Sequence, residues 1–145
     1  MKSAHNRLVR FALMYLLLAN LVPGIWALFF PYNFYNDFPG FGHQWVAVDG
    51  PYNEHLIRDV GAFFLAMTTL ILLTLIAPRW ITARASATCL LVFNLPHLLY
   101  HLAHLHMLPL IDQIGNVVTL SLSVLVPMLI LLRPTFISDA VPTPL

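Results

Sequence analysis

Charged residues are scarce in this chain. Only 9% of its 145 residues are Asp, Glu, Lys or Arg, whereas 59% are hydrophobic, and soluble domains carry roughly 25% charged residues. This deficit excludes an ordinary water-soluble domain and predicts a polytopic membrane protein that forms a single domain over residues 1–145. The net charge is only +1. Since no basic patch is present to neutralise phosphates, nucleic acid is excluded as a partner and the lipid bilayer is expected instead.

Cysteine and internal repeats are also lacking. The single cysteine, Cys89, lies in an apolar run and has no second thiol with which to form an internal disulfide. No segment of the chain repeats another, which disfavours a transporter built from inverted repeats. A diagnostic metalloprotease motif such as His-Glu-x-x-His is missing as well. These absences remove several function classes without indicating one.

Four apolar segments are each close to the roughly 20 residues that a membrane-spanning helix needs. They cover residues 8–30, 60–77, 87–108 and 114–132. We expect the first to be retained as an anchor, because its apolar run is long for a signal peptide and no small-x-small cleavage site follows it. Six basic residues lie on one side of this arrangement, which predicts that both termini are cytoplasmic. The predicted fold is an all-α transmembrane four-helix bundle.

A long stretch from Pro31 to Pro51 separates the first two segments and is rich in aromatic residues, Gly and Pro. It predicts an outer loop, either an interfacial segment with its rings at headgroup level or a lid over a binding site. The run from Asp49 to His55 resembles a helix start, because Pro and acidic residues are typical of a first turn. We therefore expect the second helix to begin a turn or two before its apolar core.

Three histidines lie on one stripe of the third apolar segment. With 3.6 residues per helical turn, His97, His101 and His104 share a face with Asn94. Titratable groups inside a membrane are energetically costly and by default mark a functional site. This stripe is therefore the strongest indication of function in the sequence.

Polar residues recur at helical spacing in the other segments. His55 and Asp59 are separated by four residues, so the carboxylate can orient the imidazole, while Glu54 and Arg58 form a neighbouring local pair. Each unsatisfied polar group in hydrocarbon costs several kcal/mol, so we expect the polar stripes to face one another. The expected interior set is Asn20, His55, Asp59, Asn94, His97, His101, His104, Asp112, Asn116, Thr119 and Ser123.

A pocket of this kind in the outer half of the bundle predicts binding of a transition metal or of a polar ligand such as a headgroup. Imidazole suits zinc, copper or iron, and one open position would allow catalysis. The candidate metal ligands are His97, His101, His104, His55, Asp59 and Asp112. The candidate supporting residues are Glu54, Arg58, Asn94 and Asn116.

Two alternatives stay open. The pocket also suits a metal-independent acid–base enzyme that acts on an isoprenoid-like lipid, since imidazoles and carboxylates in a low-dielectric site can be tuned for proton transfer. Alternatively, the chain is a structural or accessory subunit whose polar residues only pack helices together. A homo-oligomer or a larger membrane complex is compatible with each alternative. The sequence alone assigns no catalytic residue and no substrate.

Residues 38–120 resemble small four-span bacterial membrane proteins. The most specific parts are Asp49-Gly50-Pro51-Tyr52-Asn53-Glu54-His55, Arg58-Asp59-Val60-Gly61 and Pro96-His97-Leu98-Leu99-Tyr100-His101. The Arg-Asp-x-Gly opening of an apolar helix is also similar to that of DoxX-like four-helix membrane families. The resemblance implies a compact bundle in a bacterial inner membrane. It implies no catalytic residues.

Overall fold

The computed structural model describes residues 2–133 and is mostly helical. Four of its helices are long and apolar enough to span a membrane, the number of apolar segments that the sequence predicted. These helices are α1 (Lys2–Phe29), α3 (Glu54–Ile76), α4 (Ala83–His104) and α5 (Leu110–Leu132). Pro23, Pro96 and Pro127 lie inside α1, α4 and α5, and each of these helices continues through its proline.

Every long helix begins before the apolar segment that predicted it. Helix α3 begins at Glu54, about a turn and a half before Val60, in agreement with the expected early start. The Asn53 side chain accepts a hydrogen bond from the backbone N–H of Leu56 at 3.1 Å and thereby satisfies one of the four free donors of the first turn. The local cause of the early start is therefore an Asn cap.

Removal of this cap should destabilise the protein measurably. We expect Asn53→Ala to lower the free energy of unfolding by about 1 kcal/mol, since loss of an N-cap acceptor costs roughly 0.5–2 kcal/mol. Asn53→Asp retains an acceptor oxygen and is the matched control. Unfolding in graded denaturing detergent, followed by circular dichroism, measures both variants. Equal loss in the two would contradict the capping role.

The helices alternate in direction, so the bundle has two distinct ends. The basic end carries the first turns of α1, the α3–α4 connection and the last turn of α5; the loop end carries residues 30–53 and the α4–α5 connection. Helix α1 packs mainly on α3, and α4 mainly on α5. All four helices meet in an apolar core toward the basic end, formed by Leu13, Leu16, Ile71, Ala87, Leu90 and Ile130.

Close contact between α1 and α3 depends on Gly61. A Cβ atom built at this position would lie 2.9 Å from the carbonyl carbon of Ala27 and the Cα of Leu28, which is closer than side chains approach backbone. The Arg58 guanidinium, one turn away, donates a hydrogen bond to the Leu28 carbonyl oxygen. The buried face of α3 therefore follows Ile57, Gly61, Thr68, Ile71 and Thr74.

The stretch between the first two spans is folded rather than an open loop. It forms α2 (Pro31–Asp37), a two-residue antiparallel pairing of β1 (Pro39–Gly40) with β2 (His43–Gln44), and a 3-10 turn over Ala47–Asp49. A second apolar core joins α1, α2 and α3 here, through Ala27, Phe34 and Ile57, with Trp26, Tyr35, Phe38, Val46 and Tyr52 packed around them. We call residues 39–49 the outer segment.

Candidate functional site

Asp112 fastens the outer segment to helix α5. This carboxylate lies in the first turn of α5 and is 6% exposed, and the positive end of the helix dipole favours an anion there. His43 Nδ1 lies 2.6 Å from Asp112 Oδ1, and Trp45 Nε1 donates to the same oxygen at 3.0 Å. Asp112 is among the residues predicted for the site from the sequence, whereas its partners His43 and Trp45 are not.

Gly115 of α5 continues the contact with Trp45, and the buried Asn116 follows it in the helix. A Cβ atom at Gly115 would meet the Trp45 ring at 3.0 and 3.3 Å, so the glycine leaves room for the indole. Asn116 lies one helical turn beyond Asp112 and is 2% exposed. Its Oδ1 is buried and accepts no hydrogen bond from residues 2–133. An acceptor in this state is destabilising unless a donor from outside these residues satisfies it.

The histidines of α4 form a ladder of rings. His97 stacks on Phe93, with ring centroids 5.1 Å apart, and packs edge-to-face on His101 at 4.6 Å. His104 stacks on Tyr100 at 4.2 Å, and its Nδ1 lies 2.8 Å from the Tyr100 carbonyl oxygen in the preceding turn. The predicted spacing therefore does bring His97 and His101 together.

The ring nitrogens of His97 and His101 differ in their hydrogen bonding from those of His43 and His104. Both rings are half-buried, yet within residues 2–133 no hydrogen bond reaches either ring. The Asp49 carboxylate at the end of the outer segment interacts electrostatically with His101. The outer segment thus contacts α5 through Trp45 and approaches α4 through Asp49.

The predicted inward orientation of His55 and Asp59 is wrong. The two side chains pair at 3.2 Å, but they are 88% and 62% exposed. Thr119 is exposed too, and its hydroxyl donates to the carbonyl oxygen of Gly115 in its own helix. The exposure of His55 and Asp59 has a physical reason: α1 packs closely on α3 at Gly61, so the face of α3 that carries Gly61 is buried and the face that carries His55 points outward.

The remaining predicted residues lie at several places in the bundle. Asn20, Asn94, Asp112 and Asn116 are buried, as predicted, and Asn94 donates to the Ser123 carbonyl oxygen of α5 at 3.0 Å. Asn20 donates to the Leu16 carbonyl oxygen of its own helix. The predicted Glu54–Arg58 pair is present, with 2.8 Å between Arg58 Nη2 and Glu54 Oε1.

The metal-ligand candidates are therefore not gathered into one shell. In the part of the chain that the structure describes, no group of three or more His, Cys, Asp or Glu side chains is arranged to hold a metal ion. His97 and His101 form one pair, His55 and Asp59 another, and Asp112 is engaged by the outer segment. The arrangement offers two imidazoles at most to a ligand at the ladder.

One apolar groove lies at the opposite end of the molecule from these histidines. It has a volume of about 250 Å³ and runs between α1 and α5. Its lining residues are Leu8, Val9, Ala12, Tyr15, Val126, Leu129, Ile130 and Arg133. Because it lies at the basic end, this groove does not join the histidine ladder to the bilayer.

Architecture and site together indicate the class of a multi-pass integral membrane protein, in which four apolar helices contact the lipid bilayer. No family model, no curated protein and no solved structure matches this chain.

Proposed function

We propose that this multi-pass membrane protein binds a small polar ligand at the loop end of its bundle, through the imidazoles of His97 and His101. In this proposal the outer segment, fastened to Asp112, lies over the site, and the loop end faces outward from a bacterial inner membrane with both termini cytoplasmic, an orientation that the distribution of basic residues favours. The observation that carries the proposal is the pair of half-buried rings that accept and donate no hydrogen bond within residues 2–133.

The position of the pair supports binding rather than packing. His97 and His101 lie in the half of α4 toward the loop end, away from the apolar core at the basic end. Residues whose role is to hold helices together satisfy their polar atoms inside the protein, as Asn94 does with the Ser123 carbonyl oxygen and Thr74 does with Ser86. Two adjacent titratable rings at membrane depth with no such bonds are a costly way to pack a helix.

A polar ligand that offers both a donor and an acceptor fits the surroundings better than a resident metal ion. Each neutral imidazole supplies one donor and one acceptor nitrogen, and the tautomer decides which nitrogen is which. The described residues supply no third protein ligand beside them, whereas structural and catalytic zinc sites use three or four. A transition metal held by the two imidazoles and by non-protein ligands is the second candidate, because the ring centroids are only 4.6 Å apart.

Purification in gentle detergent tests this proposal. Native mass spectrometry measures any small molecule bound to the intact protein, and elemental analysis of the same sample measures zinc, copper and iron. We expect one ligand per chain in the wild type and a loss of at least about ten-fold in His97→Ala/His101→Ala. Such a loss corresponds to about 1.4 kcal/mol, in the range of one or two hydrogen bonds.

His55→Ala is the matched control, because His55 is 88% exposed on another helix, where it pairs with Asp59. It should retain the ligand at the wild-type level. A bound organic molecule supports the polar-ligand proposal, whereas stoichiometric metal supports the second candidate. The same content in all three proteins, together with wild-type stability of the double variant, would leave only the accessory, helix-packing role.

A further inference from the structure

We propose that the groove between α1 and α5 at the basic end is a binding site for an anionic phospholipid, with one acyl chain in the groove and the headgroup at Arg133. This site is separate from the histidine ladder, because the groove begins at Leu8 on α1 and at Arg133 on α5, at the other end of both helices. Neither the fold nor the proposed function depends on it.

The shape of the groove matches the depth of one membrane leaflet. From Leu8 to Tyr15 on α1, and from Val126 to Arg133 on α5, the groove follows seven residue steps, or about 10 Å of helix. One leaflet contributes roughly 15 Å of hydrocarbon. The groove therefore extends from headgroup level through about two thirds of a leaflet, as an acyl chain does.

The lining is apolar for its whole length and is large enough for a chain segment. Its side chains are aliphatic apart from Tyr15 and Arg133. Its volume of about 250 Å³ exceeds the roughly 150 Å³ of an apolar protein cavity that binds benzene. Ala12 contributes only a methyl group to the wall that α1 forms, so its side chain leaves room in the groove for an acyl chain.

Charge at the mouth selects an anionic headgroup. Arg133 lines the mouth, and Arg84 Nη2 donates to the carbonyl oxygens of Leu131 and Arg133 at 2.7 and 2.8 Å. Arg7 precedes the first lining residue of α1 and is exposed. In the described chain, all five carboxylates belong to the loop end. A phosphate diester at the mouth of the groove should bind about five-fold more tightly for each nearby Arg.

Lipid competition on the full chain tests the site. We would purify it in a neutral detergent, add phosphatidylglycerol or phosphatidylcholine with identical acyl chains, and measure occupancy by native mass spectrometry. We expect phosphatidylglycerol to bind at least five-fold more tightly, and Arg133→Gln to reduce this preference about five-fold. Arg79→Gln removes an exposed charge of the same end that does not line the groove, and it should leave the preference unchanged.

A second pair of variants tests the groove itself. Ala12→Leu fills the groove and should weaken both lipids about ten-fold, whereas Ala19→Leu adds the same volume on an exposed face of the same helix and should change neither. A diazirine on the acyl chain of phosphatidylglycerol should label residues 8–15 and 126–133. The proposal is overturned if inorganic phosphate competes as well as the lipid, if labels spread evenly over the apolar surface, or if Arg79→Gln and Arg133→Gln act alike.

Discussion

Replacement of Gly61 by leucine should prevent α1 and α3 from packing as they do here. Even one added carbon at this position would meet the backbone of Ala27 and Leu28 at under 3 Å, and backbone within two packed helices cannot move aside as a side chain does. We expect Gly61→Leu to lower the free energy of unfolding by about 3 kcal/mol or more, at the upper end of the cost of overpacking. Unfolding in graded denaturing detergent measures this loss.

Ala62→Leu is the matched control, since Ala62 is the next residue of the same helix and is exposed. It should change the free energy of unfolding by less than about 0.5 kcal/mol. Gly61→Ala separates two opposing effects: helix propensity favours alanine by about 1 kcal/mol, while the contact with α1 disfavours it by about 1–3 kcal/mol. A net loss is therefore expected. Wild-type stability of Gly61→Leu would show that the Gly61 face of α3 does not contact α1.

Removal of the Asp112 carboxylate should release the outer segment from α5. Asp112→Ala leaves His43 Nδ1 and Trp45 Nε1 without their shared acceptor, which lies 2.6 and 3.0 Å away in the wild type. Each unsatisfied and partly buried donor costs about 1–3 kcal/mol, so opening of the outer segment should become at least ten-fold more frequent. Amide hydrogen exchange over residues 39–49 measures this directly, with Trp45 fluorescence as a second observable.

Asp59→Ala provides the comparison, because Asp59 also pairs with a histidine but is 62% exposed. Exposed pairs contribute only about 0–1 kcal/mol, and His55 can turn to water, so exchange over residues 39–49 should not change. Asp112→Asn retains one acceptor oxygen and should give an intermediate effect. Identical exchange in Asp112→Ala and the wild type would contradict the fastening role of Asp112.

The spans could be predicted from sequence because hydrophobicity alone specifies them. The apolar segment 114–132 lies wholly within α5, and 60–77 lies within α3 except for Ala77. The larger differences occur at polar helix starts such as Glu54, where hydrophobicity carries no signal. The Asn53 cap explains that start and is recognisable in the sequence: an Asn immediately before the first helical residue.

The packed face of α3 could not be predicted from periodicity. The stripe through His55 and Asp59 and the stripe through Ile57 and Gly61 both recur at helical spacing, and periodicity does not say which of two stripes meets a neighbour. The packed face is the one at which the backbones of α1 and α3 approach most closely. This face carries Gly61, whereas the stripe through His55 and Asp59 carries no glycine.

The contact of His43 and Trp45 with Asp112 was out of reach for a different reason. Trp45 and Asp112 are 67 residues apart, and no local pattern links a histidine in an aromatic stretch to a carboxylate in a later helix. By contrast, the adjacency of His97 and His101 follows from the helix geometry alone and was predicted. Local spacing thus predicted the ladder, whereas the contact of the outer segment with Asp112 depends on tertiary packing.

An experimental density map of the protein in lipid nanodiscs, with a bound antibody fragment to add mass, tests the central claim most directly. The observable is the space around the imidazoles of His97 and His101. We predict non-protein density at hydrogen-bonding distance, about 2.7–3.2 Å, from a ring nitrogen of each, beneath an outer segment that contacts Asp112. Rings whose nitrogens are all bonded to groups of the protein itself, with no additional density beside them, would contradict a binding site at this end of the bundle.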